Sequence, residues 1–133
     1  MKKNHKLFGI ITLIIFIILL GGCGHKMTLE EAVEKANKDC PVQMGNVMTL
    51  ENLEIENGNL VVNYAWAPQL YDVLSRNQTT LKTRLTTDLK TNTLEMLKDF
   101  DEILKESKAS YIFRIKNQET GEHVDVEIPA TDI

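Results

Sequence analysis

Cysteine, histidine and basic charge are all scarce in this 133-residue chain, and each scarcity removes a class of function. The only cysteines are Cys23 and Cys40, and the only histidines are His5, His25 and His123. Zinc sites draw several such ligands at set spacings; separated histidines and no CxxC pair cannot supply them, so no metal site is expected. Lysine and arginine number 15 against 19 acidic residues. A nucleic-acid-binding surface needs a basic footprint, and anionic headgroups attract polybasic segments. Neither pattern is present, so no nucleic-acid partner is expected. There is no glycine-rich phosphate loop. Ser75, Ser107 and Ser110 lack a nucleophile-elbow pattern and a histidine nearby in sequence. No catalytic residue and no cofactor are therefore expected, and the chain reads as a non-enzyme. A long apolar run is also missing: residues 7–20 fall short of the roughly 20 needed to cross a bilayer.

What is present begins at the N-terminus. Lys2, Lys3 and Lys6 precede the segment LFGIITLIIFIILL (7–20), broken only by Gly9 and Thr12, and Leu20-Gly21-Gly22-Cys23 follows. A basic start, an apolar centre and small residues make a secretory signal. With a cysteine directly after the small residues, the stretch resembles the lipobox of bacterial lipoproteins. That resemblance implies cleavage before Cys23, acylation of its sulfur and attachment to the extracytoplasmic side of a bacterial membrane. An uncleaved anchor and a plain secretory signal are the competing readings. The implied organisation is a signal peptide over 1–22, a short tether over 23–27 and a single α+β domain over 28–133. At no more than about 3.5 Å per residue, such a tether is a short leash. Without the three leader lysines, 12 basic residues face 19 acidic ones, a net charge of about −7. With Cys23 acylated, Cys40 has no partner in its own chain, and a buried small hydrophobe is its expected role.

Periodicity supplies the elements. Thr28-Leu29-Glu30-Glu31 has capping-box spacing, and Leu29, Ala32, Val33, Ala36 and Cys40 recur at helical intervals. Pro41 stops that pattern, which predicts a helix over 28–40. Residues 42–46 read as a connector. From Met48 the period becomes two: Leu53 and Ile55, then Asn57-Gly58, then Leu60, Val62 and Tyr64. Asn-Gly between alternating apolar residues is the strongest short-range hairpin signal. A two-residue turn pairs Glu56 with Asn59, Ile55 with Leu60 and Leu53 with Val62. A helical stripe runs over residues 69–90, weak across Ser75 to Thr80, and Asn92 has N-cap spacing to Glu95 for a further helix to about Lys108. Tyr111, Phe113 and Ile115, then Val124, Val126 and Ile128, predict a second hairpin that points His123 to solvent. The expected architecture is helix–hairpin–two helices–hairpin, a four-stranded antiparallel sheet with helices packed on one face.

Asn37-Lys38-Asp39-Cys40-Pro41 closing the first helix, Val62-Asn63-Tyr64 on the second strand and Ser110-Tyr111-Ile112-Phe113-Arg114 near the end carry a further likeness. Together they resemble a group of small bacterial lipoproteins of uncharacterised function. The resemblance implies the fold and a cell-envelope location, and brings no activity with it. Two functions compete. One is a non-enzymatic binding or accessory module with an envelope protein partner, its interface an exposed apolar patch around Trp66, Tyr71 and Tyr64. The other is a small ligand-binding or weakly hydrolytic domain using Glu30, Glu31, Glu34, Asp99, Asp101, Glu102 and Glu106. The interleaving of the later acids with Lys98, Lys105 and Lys108 favours a solvated helix face instead.

Overall fold

A computed structural model describes residues 26–93 and 95–133. The leader, Cys23 with its implied lipid, His25 and Leu94 lie outside the described residues. Thr28 caps helix α1 (Leu29–Asn37) as its spacing predicts, its hydroxyl accepting from the Glu31 N–H at 3.2 Å. The helix ends three residues before Cys40, because Lys38, Asp39 and Cys40 turn out of the helical path with i→i−3 bonds ahead of Pro41.

The presumed connector is a strand. β1 (Val42–Met44) pairs antiparallel with β2 (Met48–Glu56), turning through Gly45 at φ +69°. β2 and β3 (Asn59–Trp66) form the hairpin in the predicted register, Ile55 opposite Leu60 and Leu53 opposite Val62, with Asn57 and Gly58 both at positive φ. A bulge between Leu50 and Asn52 lets Leu50 and Leu53, three apart, both face the core. Ile55 shares the Leu60 side yet is 37 % exposed, whereas Leu60 is fully buried.

The crossover differs from the expected two helices. Pro68 opens α2 (Pro68–Ser75), and the weak stretch is a true break. Asn77 then caps α3 (Gln78–Lys90), its Oδ1 accepting from the Thr80 N–H at 3.2 Å. Asn92 is not an N-cap. It sits left-handed at φ +54° and closes α3, with its own N–H on the Leu89 carbonyl and the Thr93 N–H on the Asp88 carbonyl, the bonds of a Schellman motif. A 3₁₀ turn (Glu95–Phe100) leads into the short α4 (Asp101–Ser107). The chain then forms β4 (Ser110–Asn117) and β5 (His123–Pro129), paired Tyr111 to Ile128, Phe113 to Val126 and Ile115 to Val124.

The sheet therefore has five strands in the order β1-β2-β3-β4-β5, and it is mixed. The four-stranded antiparallel expectation fails at one joint: β3 and β4 run parallel, Leu60 beside Tyr111 through Trp66 beside Asn117. A helical crossover returns the chain to the end where β3 began, and that dictates parallel pairing. Helices pack on one face as expected. Ala32, Ala36, Tyr71, Leu81, Leu85, Leu89, Leu97, Phe100 and Leu104 close over Leu50, Leu53, Leu60, Val62, Tyr64, Phe113, Ile115 and Ile128. Each such aliphatic or phenyl group contributes about 1.5–3 kcal/mol when fully buried.

β1 is too short to cover all of β2, and Asn37 completes the job. Its side-chain amide donates to the Leu53 carbonyl at 2.9 Å and accepts from the Leu53 N–H at 2.8 Å, standing in for one residue of a neighbouring strand. Replacing Asn37 with alanine strips both bonds from a partly buried backbone unit, at about 1–3 kcal/mol. A lower urea midpoint with an unchanged slope checks this; Asn37→Asp, which retains only the acceptor, should fall between the two.

Candidate functional site

The aromatic patch anticipated around Trp66, Tyr71 and Tyr64 is not on the surface. All three are buried, at 4, 6 and 3 % exposure. Tyr71 belongs to the helix-side core. Tyr64 and Trp66 instead form the floor of an apolar groove between the β1–β2 end of the sheet and helices α2 and α3. Met44, Val47 and Met48 line one side, and Leu70, Leu74, Leu81 and Leu85 the other, enclosing about 200 Å³. Val47, at 45 % exposure, stands at its rim. A second lobe of about 170 Å³, lined by Val42, Leu50, Met96 and Leu97, shares Met44 and Tyr64 with the first.

Polar groups in this groove are few. Tyr64 stacks on Phe113 at 6.2 Å and meets Trp66 at 6.3 Å. Burial first, then the Asp88 charge, push its hydroxyl well above the usual phenol range, so it stays protonated. The Trp66 Nε1–H is buried without an acceptor. Arg84 and Asp88, one turn apart on α3, line the first lobe, and neither side chain has a hydrogen bond or ion pair among the described residues. Glu95 and Thr93 line the second lobe.

Of the carboxylates singled out for hydrolysis, Asp99, Glu102 and Glu106 line one open surface recess together with Lys26 and Lys35. Lys26 bonds Glu106 at 2.7 Å, Lys105 bonds Asp101 at 3.1 Å and Lys35 lies 3.9 Å from Asp99. Asp99, Asp101 and Glu106 are thus each held by a lysine; Asp101 is half-buried, and its Oδ1 has no hydrogen-bond partner among the described residues. Among the described residues no three His, Cys, Asp or Glu side chains are placed to hold a metal. The Ser107 hydroxyl donates to the Ile103 carbonyl of its own helix. Cys40 is half-buried, its thiol 3.7 Å from the Ala36 carbonyl, and burial with the neighbouring Asp39 charge raises its pKa, which opposes thiolate chemistry.

The sheet face away from the helices carries an ion network. Arg114 on β4 contacts Asp125 at 3.1 Å through Nε, Glu56 at 3.1 Å and Glu54 at 3.6 Å. Lys116 pairs with Glu51 at 3.0 Å. His123 points to this face as expected, with Nδ1 3.3 Å from Asp125. Burial pushes the Asp125 carboxyl up, but the Arg114 hydrogen bonds and charge, with His123, outweigh it and hold the group below its ordinary value.

Among the described residues no helix is long and apolar enough to cross a membrane. No family model matches the chain, and no curated protein sequence does either. The fold has solved counterparts. A protein assigned as secreted from Pseudomonas aeruginosa superposes with a TM-score of 0.67 at 12 % identity, over 78 % of this chain and 88 % of that one. The pilotin of the Vibrio vulnificus type 2 secretion system, EpsS, superposes at 0.52 with 14 % identity, over 76 % of this chain and 86 % of its own.

A carboxylate depressed in the folded state contributes stability that is complete above its unfolded pKa, near 3.9 for an ordinary aspartate, and is lost as pH falls through the lower folded value. Below about pH 4, the wild-type urea midpoint should therefore fall more steeply than that of Asp125→Asn. Parallel acid limbs in the two titrations would remove Asp125 from the ion network.

Proposed function

We propose that the protein is a non-enzymatic accessory module of the bacterial cell envelope, anchored by lipid at Cys23 on the extracytoplasmic side and engaging an envelope component through the Tyr64–Trp66 groove. The observation that carries the reading is the groove: an apolar recess with two charged residues in its wall, Arg84 and Asp88, whose side chains have no hydrogen bond or ion pair among the described residues. Binding sites are concave and mostly apolar, with few polar groups. Asp99, Asp101 and Glu106 are each engaged by a lysine, which favours this reading over hydrolysis. The shared fold with a protein assigned as secreted and a secretion-system pilotin favours the envelope.

Two measurements test this. Metabolic labelling with a clickable fatty acid should mark the wild-type protein and leave Cys23→Ser dark and soluble; label retained in that variant would rule out acylation at Cys23. A photo-cross-linking residue at position 47, on the groove rim, should give a discrete adduct in cells, whereas the same group at position 127, on the ion-paired sheet face, should give none. Equal adducts from both positions, or purified protein that turns over an envelope polymer, would overturn the module reading.

A further inference from the structure

The two lobes of the groove differ in charge, and that difference specifies a ligand. We propose that the groove binds a single acyl chain ending in a free carboxylate, with the head at Arg84 and the tail running past Met44 and Tyr64 towards Met96. This rests on the groove being the binding surface and goes further by naming what enters it.

Size sets the first constraint. The lobes measure about 200 and 170 Å³ and share Met44 and Tyr64 in their linings. An apolar cavity of about 150 Å³ already takes a benzene ring, and small-ligand sites begin near 300 Å³. The first lobe alone suits a short fragment. The pair suits an elongated apolar body that occupies both. Met44, Met48 and Met96 line this path, and unbranched thioether side chains adapt to a flexible chain better than branched ones.

Charge fixes the direction. Among the described residues Arg84 is the only cationic residue lining either lobe, and it is exposed with no ion pair, even to Asp88 one turn further along α3. A guanidinium offers a carboxylate two parallel hydrogen bonds. Asp88 lines the same lobe as Arg84 and acts on Tyr64, while Glu95 lines the second lobe. An anionic head therefore finds a counter-charge at the Arg84 end and none among the described residues at the inner end. Trp66 lines the Arg84 lobe as well.

The chain contains its own reporters. Trp66 is the only tryptophan, Met44, Met48 and Met96 line the groove, and Met27 lies outside it. The full chain, labelled with ¹³C-methyl methionine and carried in nanodiscs free of detergent, is titrated with decanoate. Parallel arms use decanol, decylamine and lysophosphatidylglycerol. The methyl signals of Met44, Met48 and Met96 should move saturably while Met27 holds still, and Trp66 emission should change with the same midpoint. Arg84→Gln, an exposed and unpaired position, should raise the decanoate Kd about tenfold, equivalent to about 1.4 kcal/mol, and leave decanol binding unchanged. Decylamine binding as tightly as decanoate, or lysophosphatidylglycerol binding more tightly, overturns the free-carboxylate assignment. No saturable shift at the three groove methionines overturns the acyl site altogether. If the position-47 adduct persists in that case, the groove stands as a binding surface and only its ligand class is wrong.

Discussion

The parallel pairing of β3 with β4 is the joint on which the rest depends. Seven residue pairs, Leu60–Tyr111 through Trp66–Asn117, weld two hairpins into one sheet. Without them each hairpin would be a two- or three-stranded fragment with one greasy face, marginal in water. The joint also places the strand with the most buried residues, β3, at the centre, where Leu60, Val61 and Val62 are all fully buried. Because the strands are parallel, the segment between them must travel the length of the sheet, and it carries α2, α3, the 3₁₀ turn and α4 over the apolar face on the way.

That crossover explains where the groove lies. α2 and α3 are separate helices broken at Arg76 and Asn77; α2 packs on β4 and α3 on β5, which leaves a gap between them and β1, the shortest strand. Helix cover and sheet cover both thin out at this corner, so Tyr64 and Trp66 have a recess above them where Phe113 has closely packed neighbours. On the opposite face no helix residue joins the core, and Arg114 holds three carboxylates together across β2, β4 and β5. The helix-covered face holds the main core, while the other carries the ion network and also buries Val61 and Ala65.

Local signals were legible and long-range ones were not. Thr28, the Asn57-Gly58 turn and the pairing of both hairpins follow from spacing alone, because caps and tight turns are decided within a few residues. β1 escaped notice because three residues are too few to show a period. Asn92 carries the chemistry of an N-cap and of a left-handed helix terminus alike, and only the path of the chain selects between them. Parallel against antiparallel for β3 and β4 is set by the geometry of a long crossover, on which the alternation of Leu60, Val62 and Tyr64 is silent. Asp99, Glu102 and Glu106 are exposed, as their lysine neighbours suggested, whereas Asp101 is half-buried. The groove was half visible: its aromatic floor was singled out as an exposed patch, while Arg84, among threonines on a helix with little amphipathic contrast, gave no sign of lining it. Asn37 sat inside a motif noted for its cysteine and proline, yet it is the asparagine that mends the sheet edge.

The two borders of the sheet are unequal, and this bears on self-association. At the β1 border the open stretch of β2 is occupied by the Asn37 amide, which leaves no vacant rung at Leu53. At the other border β5 runs for seven residues and presents its backbone outward. Open strands are where copies zip together. Asp125 and Glu127 alternate along this border on the charged side of the sheet, and Pro129, which has no N–H to donate, ends it. Two copies meeting strand to strand would bring carboxylate against carboxylate, so crowding on a surface does not by itself turn this protein into fibres.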